Sequence, residues 1–384
     1  MSALDRRHIL IVGGGPAGLS TALHLARLSP SLASSTLLVE ARDYPRPKIC
    51  GGGVTAHGEE QLERLGLQHL GVPEFSIDRL LFQLGQQTFD IARANIMRVI
   101  QRAEFDAAIA RAAAGCGVDV HTGERVERIE PAHDGFIVTT NRQRYHAAVL
   151  VAADGAASTV RHKLGFHSAV GVARLLRVMT PLAPADEHIW ENKTAVFDFS
   201  CVRDGIQGYT WDFPCWVDGE PYINRGIFDS RLFPGADRPH GQLKRTFTKG
   251  LQERGVNPDA VQLQGHPVRW FNPHAEFARP HVLLVGDAAG VDPLFAEGIS
   301  YGMEYGEIAA QALVDAFCEG DLSFADYPAR LLGHRLGRLL RRRTVVARAL
   351  YRHALPPLWG IVWTLAGVAS ERMQNNIGEA LALL

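Results

Sequence analysis

"HILIVGGGPAGLSTALHLAR" (residues 8–27) decides the fold. An aliphatic run ends at Val12, meets three glycines and passes directly into a helical pattern. Glycines 13, 15 and 18 have the spacing GxGxxG. Gly13 permits a tight turn, Gly15 lets backbone approach a pyrophosphate, and Gly18 lets helix and strand pack closely. The helix, with Ala17 in its first turn, then faces the phosphates with its partial positive charge. "STLLVEARD" (35–43) reads as the next strand. It ends at Glu40, which would accept hydrogen bonds from an adenosine ribose, with Ala41 and Arg42 beside it. GxGxxG alone is a weak signal; strand, helix and acidic residue together make it strong.

The chain has 384 residues, enough for two domains or one domain with an insertion, and at 46% hydrophobic it can bury a sizeable core. A formal net charge of −1 argues against a dedicated nucleic-acid binder. The five cysteines are scattered without a CxxC pair, so neither a disulfide framework nor a metal site is expected, and a reducing cytoplasm fits. Met1–Arg7 does not read as a signal peptide, and no run of 18 apolar residues occurs, so no spanning helix is expected.

Two downstream stretches select the dinucleotide. "AAVLVAADGAASTVRHKLG" (147–165) is an apolar strand running into Asp154-Gly155, then Ser158 and Arg161. "RPHVLLVGDAAGVDPLFAEGISYGMEYGEIAAQAL" (279–313) is a strand, Gly286-Asp287, a loop with Pro293 and Gly298, and a helix. Fingerprint, DGxxSxxR and GD-x5-P, in this order, resemble the FAD-dependent oxidoreductases of the p-hydroxybenzoate hydroxylase type of fold. The resemblance implies FAD as cofactor. It makes Asp287 an acceptor for a ribityl hydroxyl and aims the helix beginning at Gly298-Ile299 at the flavin N1–C2=O edge, which becomes anionic on reduction. Asp154 and Arg161 would tie the FAD strand to its loops. "RVIQRAEFDAAIARAA" (98–113) brings Arg102, which matches an FAD-contacting arginine; its alternative is a solvated helix charge.

"PKICGGGV" (47–54) follows the second strand. At this place it resembles the CxGG signature of the geranylgeranyl reductase family. "IQGYTWDFP" (206–214) matches that family's PxxYxWxFP from the tyrosine onward, with Ile206 in place of the leading proline. The resemblance implies that Gly51, Gly52 and Gly53 lie bare against the planar ring and that Cys50 faces the reaction chamber. The thiol's roles stay open: proton donor, contact on a substrate alkene, or packing. Lys48 and Arg46 meet phosphate or lie on a solvated loop. Tyr209 and Trp211 alternate along a strand and share a face, forming either an aromatic wall or ordinary core.

The implied fold class is α/β: a Rossmann-type FAD-binding domain with an inserted antiparallel-sheet substrate domain and a helical C-terminal region. FAD-binding parts span 1–74, 98–165 and 276–325. Substrate parts span 75–97 and 166–275, where "TAVFDFS", "GYTWDFP" and "PYINRGIFD" alternate like strands and 233–242 reads as a loop. The C-terminal region is 326–384. Within it, 329–353 holds eight arginines and no acid, with leucines 332, 336, 339 and 340 on one helical face, and 355–367 is apolar and carries tryptophan. The pair reads as a basic amphipathic helix plus an interfacial segment for an anionic membrane, or as a cap on the substrate domain.

The implied function is a reductase saturating C=C bonds of a prenyl lipid, quinone or diphosphate. NAD(P)H or a reduced carrier is the donor. A flavin monooxygenase or halogenase acting on an apolar or aromatic small molecule is the alternative, and a flavin-bearing binding protein is a third reading.

Overall fold

The structure is a computed structural model describing residues 4–166, 171–233 and 242–352. Two eight-stranded sheets organise it. In the first, strands Asp119–His121, Thr36–Val39, Asp5–Val12, Arg144–Ala152 and Val282–Leu284 lie side by side and parallel. The middle strands are continuous apolar runs because both of their faces are covered: Ile9, Leu10, Ile11, Leu37, Leu38 and Val149 to Ala152 are all fully buried. Short antiparallel partners finish the sheet, Ala278–Arg279 at one end and the hairpin Val126–Ala132/Gly135–Thr140 on the early part of 144–152.

The fingerprint turn leads from 5–12 into the helix Pro16–Leu28. Gly13 sits at φ +108°, a region closed to most side chains, and a Cβ there would strike the Ala153 backbone. The turn is thus built against the end of the next strand over. The helix packs along Ile299–Glu319, where Ser20 donates from Oγ to the Met303 carbonyl at 2.6 Å.

The second sheet has the order Gln264–Arg269, Val172–Pro181, Glu220–Asp229, Gly208–Val217, Thr194–Asp198, Glu74–Leu84, Gln87–Ile100, Gly53–Thr55. Its pairs are antiparallel except one: 194–198 runs parallel to 74–84. These strands enter the sheet from two separate excursions, and no hairpin joins them to impose opposite directions. The sheet also takes in Gly53–Thr55 and the end of 87–100, pieces that the sequence grouped with the FAD-binding parts.

Helices Tyr327–Gly333 and Arg335–Tyr351 follow. The second lays Leu336, Leu340, Thr344, Ala347 and Tyr351 onto the body, burying its apolar stripe in protein. Leu332 and Leu339 are half-buried. Among the described residues no helix is long and apolar enough to cross a membrane. The tryptophan-bearing stretch 355–367 and most of the 233–242 loop lie outside the described residues.

Candidate active site

A cavity of about 1210 Å³ runs between the two sheets. It is lined by Gly13, Gly15, Ala17, Glu40, Ala41, Arg42, Cys50 to Gly53, Arg102, Asp154, Tyr209, Trp211, Gly286, Asp287, Gly298 and Ile299. Of the residues singled out above as cofactor-binding or catalytic, Gly18 alone is absent from the wall. A Cβ on Gly18 would strike the Gly13 carbonyl, so its place is in helix–turn packing.

At the polar end, Glu40 closes the fingerprint turn. Its Oε2 accepts from Gly14 N at 2.9 Å and its Oε1 from Arg42 N at 3.1 Å. Arg46 is no solvated loop residue: it is buried, donates to the Gly14 carbonyl at 2.9 Å, and pairs with Glu40 at 3.2 Å and Asp106 at 3.3 Å. Arg102 is likewise no solvated charge, because two parallel bonds of 2.9 and 3.0 Å tie it to Asp106 while it lines the cavity beside the Cys50 thiol.

Several groups here fit a dinucleotide. The 16–28 helix starts at Gly15 with no side-chain cap, so its first N–H groups stay open toward the cavity. Asp154 Oδ1 is buried without a protein partner. Asp287 opens into the cavity, and burial pushes its carboxyl up, opposed by Lys48 and Arg102. The 299–319 helix also begins uncapped, at Gly298, with no acid in its first turn. Together these residues could hold pyrophosphate, ribityl hydroxyls and the electron-rich edge of a flavin.

The other end is aromatic. Phe197 lies 5.4 Å from Tyr209 and 5.0 Å from Phe213, centroid to centroid, and Phe228 and Phe295 complete the wall. The alternation expected of Tyr209 and Trp211 extends to Phe213 on the same face. Opposite Trp211 the neighbouring strand carries Gly226, where any Cβ would collide with the indole. The Tyr209 hydroxyl is committed to the Phe295 carbonyl at 2.6 Å, and burial pushes its pKa up, so it contributes a ring and no proton.

The glycine loop joins the two ends. Its glycines answer in part to protein neighbours: Gly52 has φ +78° and faces the Ile100 carbonyl, a Cβ on Gly53 would meet Met97 Sδ at 3.0 Å, and one on Gly51 would meet Phe213 at 3.2 Å. The Cys50 Sγ accepts from Gly52 N at 3.3 Å.

Sequence reasoning passed over four participants: Asn224, His266, Glu297 and Arg343. Asn224 bonds the loop from the opposite strand. Lys48 Nζ meets His266 Nε2 at 2.7 Å; burial lowers the lysine and holds the histidine down to about 3, so the imidazole accepts. Glu297 accepts from Thr55 Oγ1 at 2.6 Å. Arg343 reaches the cavity from the C-terminal helix, 3.0 Å from Asp292 and 3.7 Å from Glu297. Glu297, Asn224 and Arg343 stood in stretches singled out above, as a loop residue, a strand residue and one of eight arginines, and His266 in none; no motif marked any of the four.

The family described as FAD binding domain matches residues 6–315. The menaquinone reductase of Mycolicibacterium smegmatis is 29% identical over 335 residues, 80% of this chain and 76% of that protein. Digeranylgeranylglycerophospholipid reductase 2 of Methanothermobacter thermautotrophicus is 29% identical over 326 residues, 81% of this chain and 79% of that one. Among solved structures, a geranylgeranyl bacteriochlorophyll reductase-like protein from Thermoplasma acidophilum superposes with TM-score 0.72 at 20% identity, covering 97% of this chain and 91% of that one. The p-nitrophenol 4-monooxygenase PnpA of Pseudomonas putida gives 0.71 at 18% identity over 99% and 98%. At such identities the structural likenesses speak for the fold alone.

Proposed function

The chain belongs to the FAD binding domain family and is a geranylgeranyl reductase-like, FAD-dependent oxidoreductase; from that premise we propose that it saturates C=C bonds of a prenyl chain carried by a lipid, quinone or diphosphate. One observation carries the reading: one cavity has a polar end lined by the fingerprint turn and an aromatic end, and they meet at Cys50–Gly53.

Gly13, Gly15, Ala17, Glu40, Arg102, Asp154, Gly286, Asp287 and the helix start at Gly298-Ile299 would hold the cofactor. Bound and reduced, FAD supplies a hydride. The chain's own residues must do the rest. Phe197, Tyr209, Trp211, Phe213, Phe228 and Phe295 take up the isoprenoid, worth about 0.8 kcal/mol per buried CH₂, and exclude water from it. An isolated alkene is unactivated, so holding it in register does much of the work. Saturation needs one hydride on one carbon and one proton on the other. Cys50, at the meeting of the two ends, is placed to give that proton and recover it from solvent. Names of relatives support the substrate class: one is a menaquinone reductase and one a digeranylgeranylglycerophospholipid reductase.

The test is anaerobic. The flavin is reduced and prenyl compounds are added. Reoxidation by an unsaturated compound, with the saturated analogue inert, supports the reading. Reoxidation that needs oxygen and ignores every prenyl compound moves the protein to the oxygenase or halogenase class.

A further inference from the structure

The helix Arg335–Tyr351 has two unlike faces. Leu336, Leu340, Arg343, Thr344, Ala347 and Tyr351 are buried against the body. Arg338, Arg341, Arg342, Arg348 and Arg352 are exposed. Positions 338, 341, 345, 348 and 352 follow one another at three or four residues, with Arg342 beside them, so the arginines share one stripe with Val345, 66% exposed, at its middle. A solvent-facing helix ordinarily interleaves both signs, which limits self-repulsion. Here residues 335–352 contain no acid, and none of the five arginines is paired with a carboxylate among the described residues. Arg338 donates to the Gly333 carbonyl, and that bond neutralises nothing. The like-charged arginines raise the energy of the helix unless an anionic partner faces them.

We propose that this stripe is a docking surface for an anionic lipid bilayer. Three features favour a lipid surface over a discrete anion. The arginines stretch along a helix instead of converging on a pocket. The exposed valine among them suits the headgroup boundary. The chain continues past the stripe into 355–367, whose sequence "LPPLWGIVWTLAG" carries Trp359 and Trp363, residues suited to the membrane interface. Orientation adds a consequence. Arg343, on the opposite side of the same helix, lines the central cavity. One helix diameter, about 10 Å, then separates the cavity wall from the headgroups, and a lipid-borne chain has a short way to travel. The surface itself rests on charge and packing, independent of the reductase reading.

The experiment uses the full-length, flavin-loaded protein in sedimentation with phosphatidylcholine vesicles, with and without phosphatidylglycerol. Wild type is expected to pellet with the mixed vesicles, to stay in solution with phosphatidylcholine alone, and to be released by salt. R341Q/R342Q/R348Q is expected to lose partitioning on the order of a hundredfold, with flavin absorbance unchanged because these side chains are exposed and line no part of the cavity. Equal sedimentation of variant and wild type overturns the proposal, and so does wild type that ignores anionic vesicles. Turnover of a short, water-soluble prenyl substrate is read separately. A variant that keeps it but no longer sediments separates the membrane surface from the chemistry, and vesicle binding without prenyl turnover sinks only the reductase reading.

Discussion

Asn224, on the 220–229 strand, holds the Cys50 loop against the second sheet. The Asn224 Nδ2 donates to the Cys50 carbonyl at 2.9 Å and to the Gly51 carbonyl at 3.0 Å, while its Oδ1 accepts from Trp211 Nε1 at 3.2 Å. One buried amide therefore joins the glycine loop, the aromatic wall and the central strand of the second sheet. Arg177 adds a longer bond to the same Cys50 carbonyl, at 3.4 Å.

Asn224→Ala takes the side-chain partner from the Gly51 carbonyl and the buried Trp211 indole N–H, and leaves the Cys50 carbonyl only the longer Arg177 bond. A loss of about 1–3 kcal/mol in unfolding free energy is expected, read by denaturant titration. Flavin content should persist, because the cofactor's own contacts lie elsewhere. Prenyl-dependent reoxidation should slow, since the loop is no longer held.

The glycines of the loop should rank. Gly52→Ala forces a side chain into a left-handed backbone and onto the Ile100 carbonyl, a cost of about 1–3 kcal/mol from the backbone alone. Gly51→Ala presses on the Phe213 ring at 3.2 Å and leaves φ unstrained. Thermal unfolding should place Gly52→Ala well below Gly51→Ala. The reverse order would mean that the ring contact matters more than the backbone.

Cys50→Ala tests the thiol. A proton donor removed from the reacting centre typically costs about 10²-fold or more in rate. The variant should bind FAD normally and reoxidise slowly with substrate under anaerobic conditions. Wild-type rates would reduce Cys50 to packing.

Acid should destabilise the fold before most carboxylates titrate. Burial holds His24 down to about 4 and His266 to about 3. Well above pH 6.5 both are neutral in either state. As pH falls from 6.5 toward 4 the unfolded chain takes up protons and the folded chain does not. Each histidine then subtracts up to about 1.4 kcal/mol per pH unit. His266→Gln should remove one share of that slope in unfolding curves between pH 7 and 4.5.

Arg343→Met leaves the Asp292 carboxylate buried and uncompensated, though Leu294 N and Phe295 N still donate to it. The expected loss is about 3–5 kcal/mol. Arg343→Met with Asp292→Asn should recover most of it, because the fully buried Asp292 charge leaves together with its partner and Glu297 keeps its bond from Thr55. A double variant no better than the single one would show that the guanidinium's packing over Phe295, 5.1 Å from its centroid, matters more than its charge.

Much of the site was legible because its requirements are local. The fingerprint glycines, Glu40, Asp154 and Asp287 each sit where a strand ends, and a short spacing records that position. Tyr209, Trp211 and Phe213 were legible as alternation. Arg46 and Arg102 were legible as residues but not in their partners, since Asp106 becomes their shared counter-charge only when a loop meets a helix. The C-terminal stripe was visible as composition. That its other face is sealed by protein, with Arg343 turned into the cavity, was not.

By itself the chain's sequence determined a dinucleotide turn, the order of the FAD motifs and a second sheet rich in aromatics, because turn conformation, helix start and strand alternation are decided within a few residues. Tertiary structure alone decided that 194–198 runs parallel to 74–84, that Lys48 finds His266, and that Asn224 reaches the loop 174 residues before it. Such pairings depend on which buried polar groups finish beside one another once the sheets close, and no local pattern carries that information.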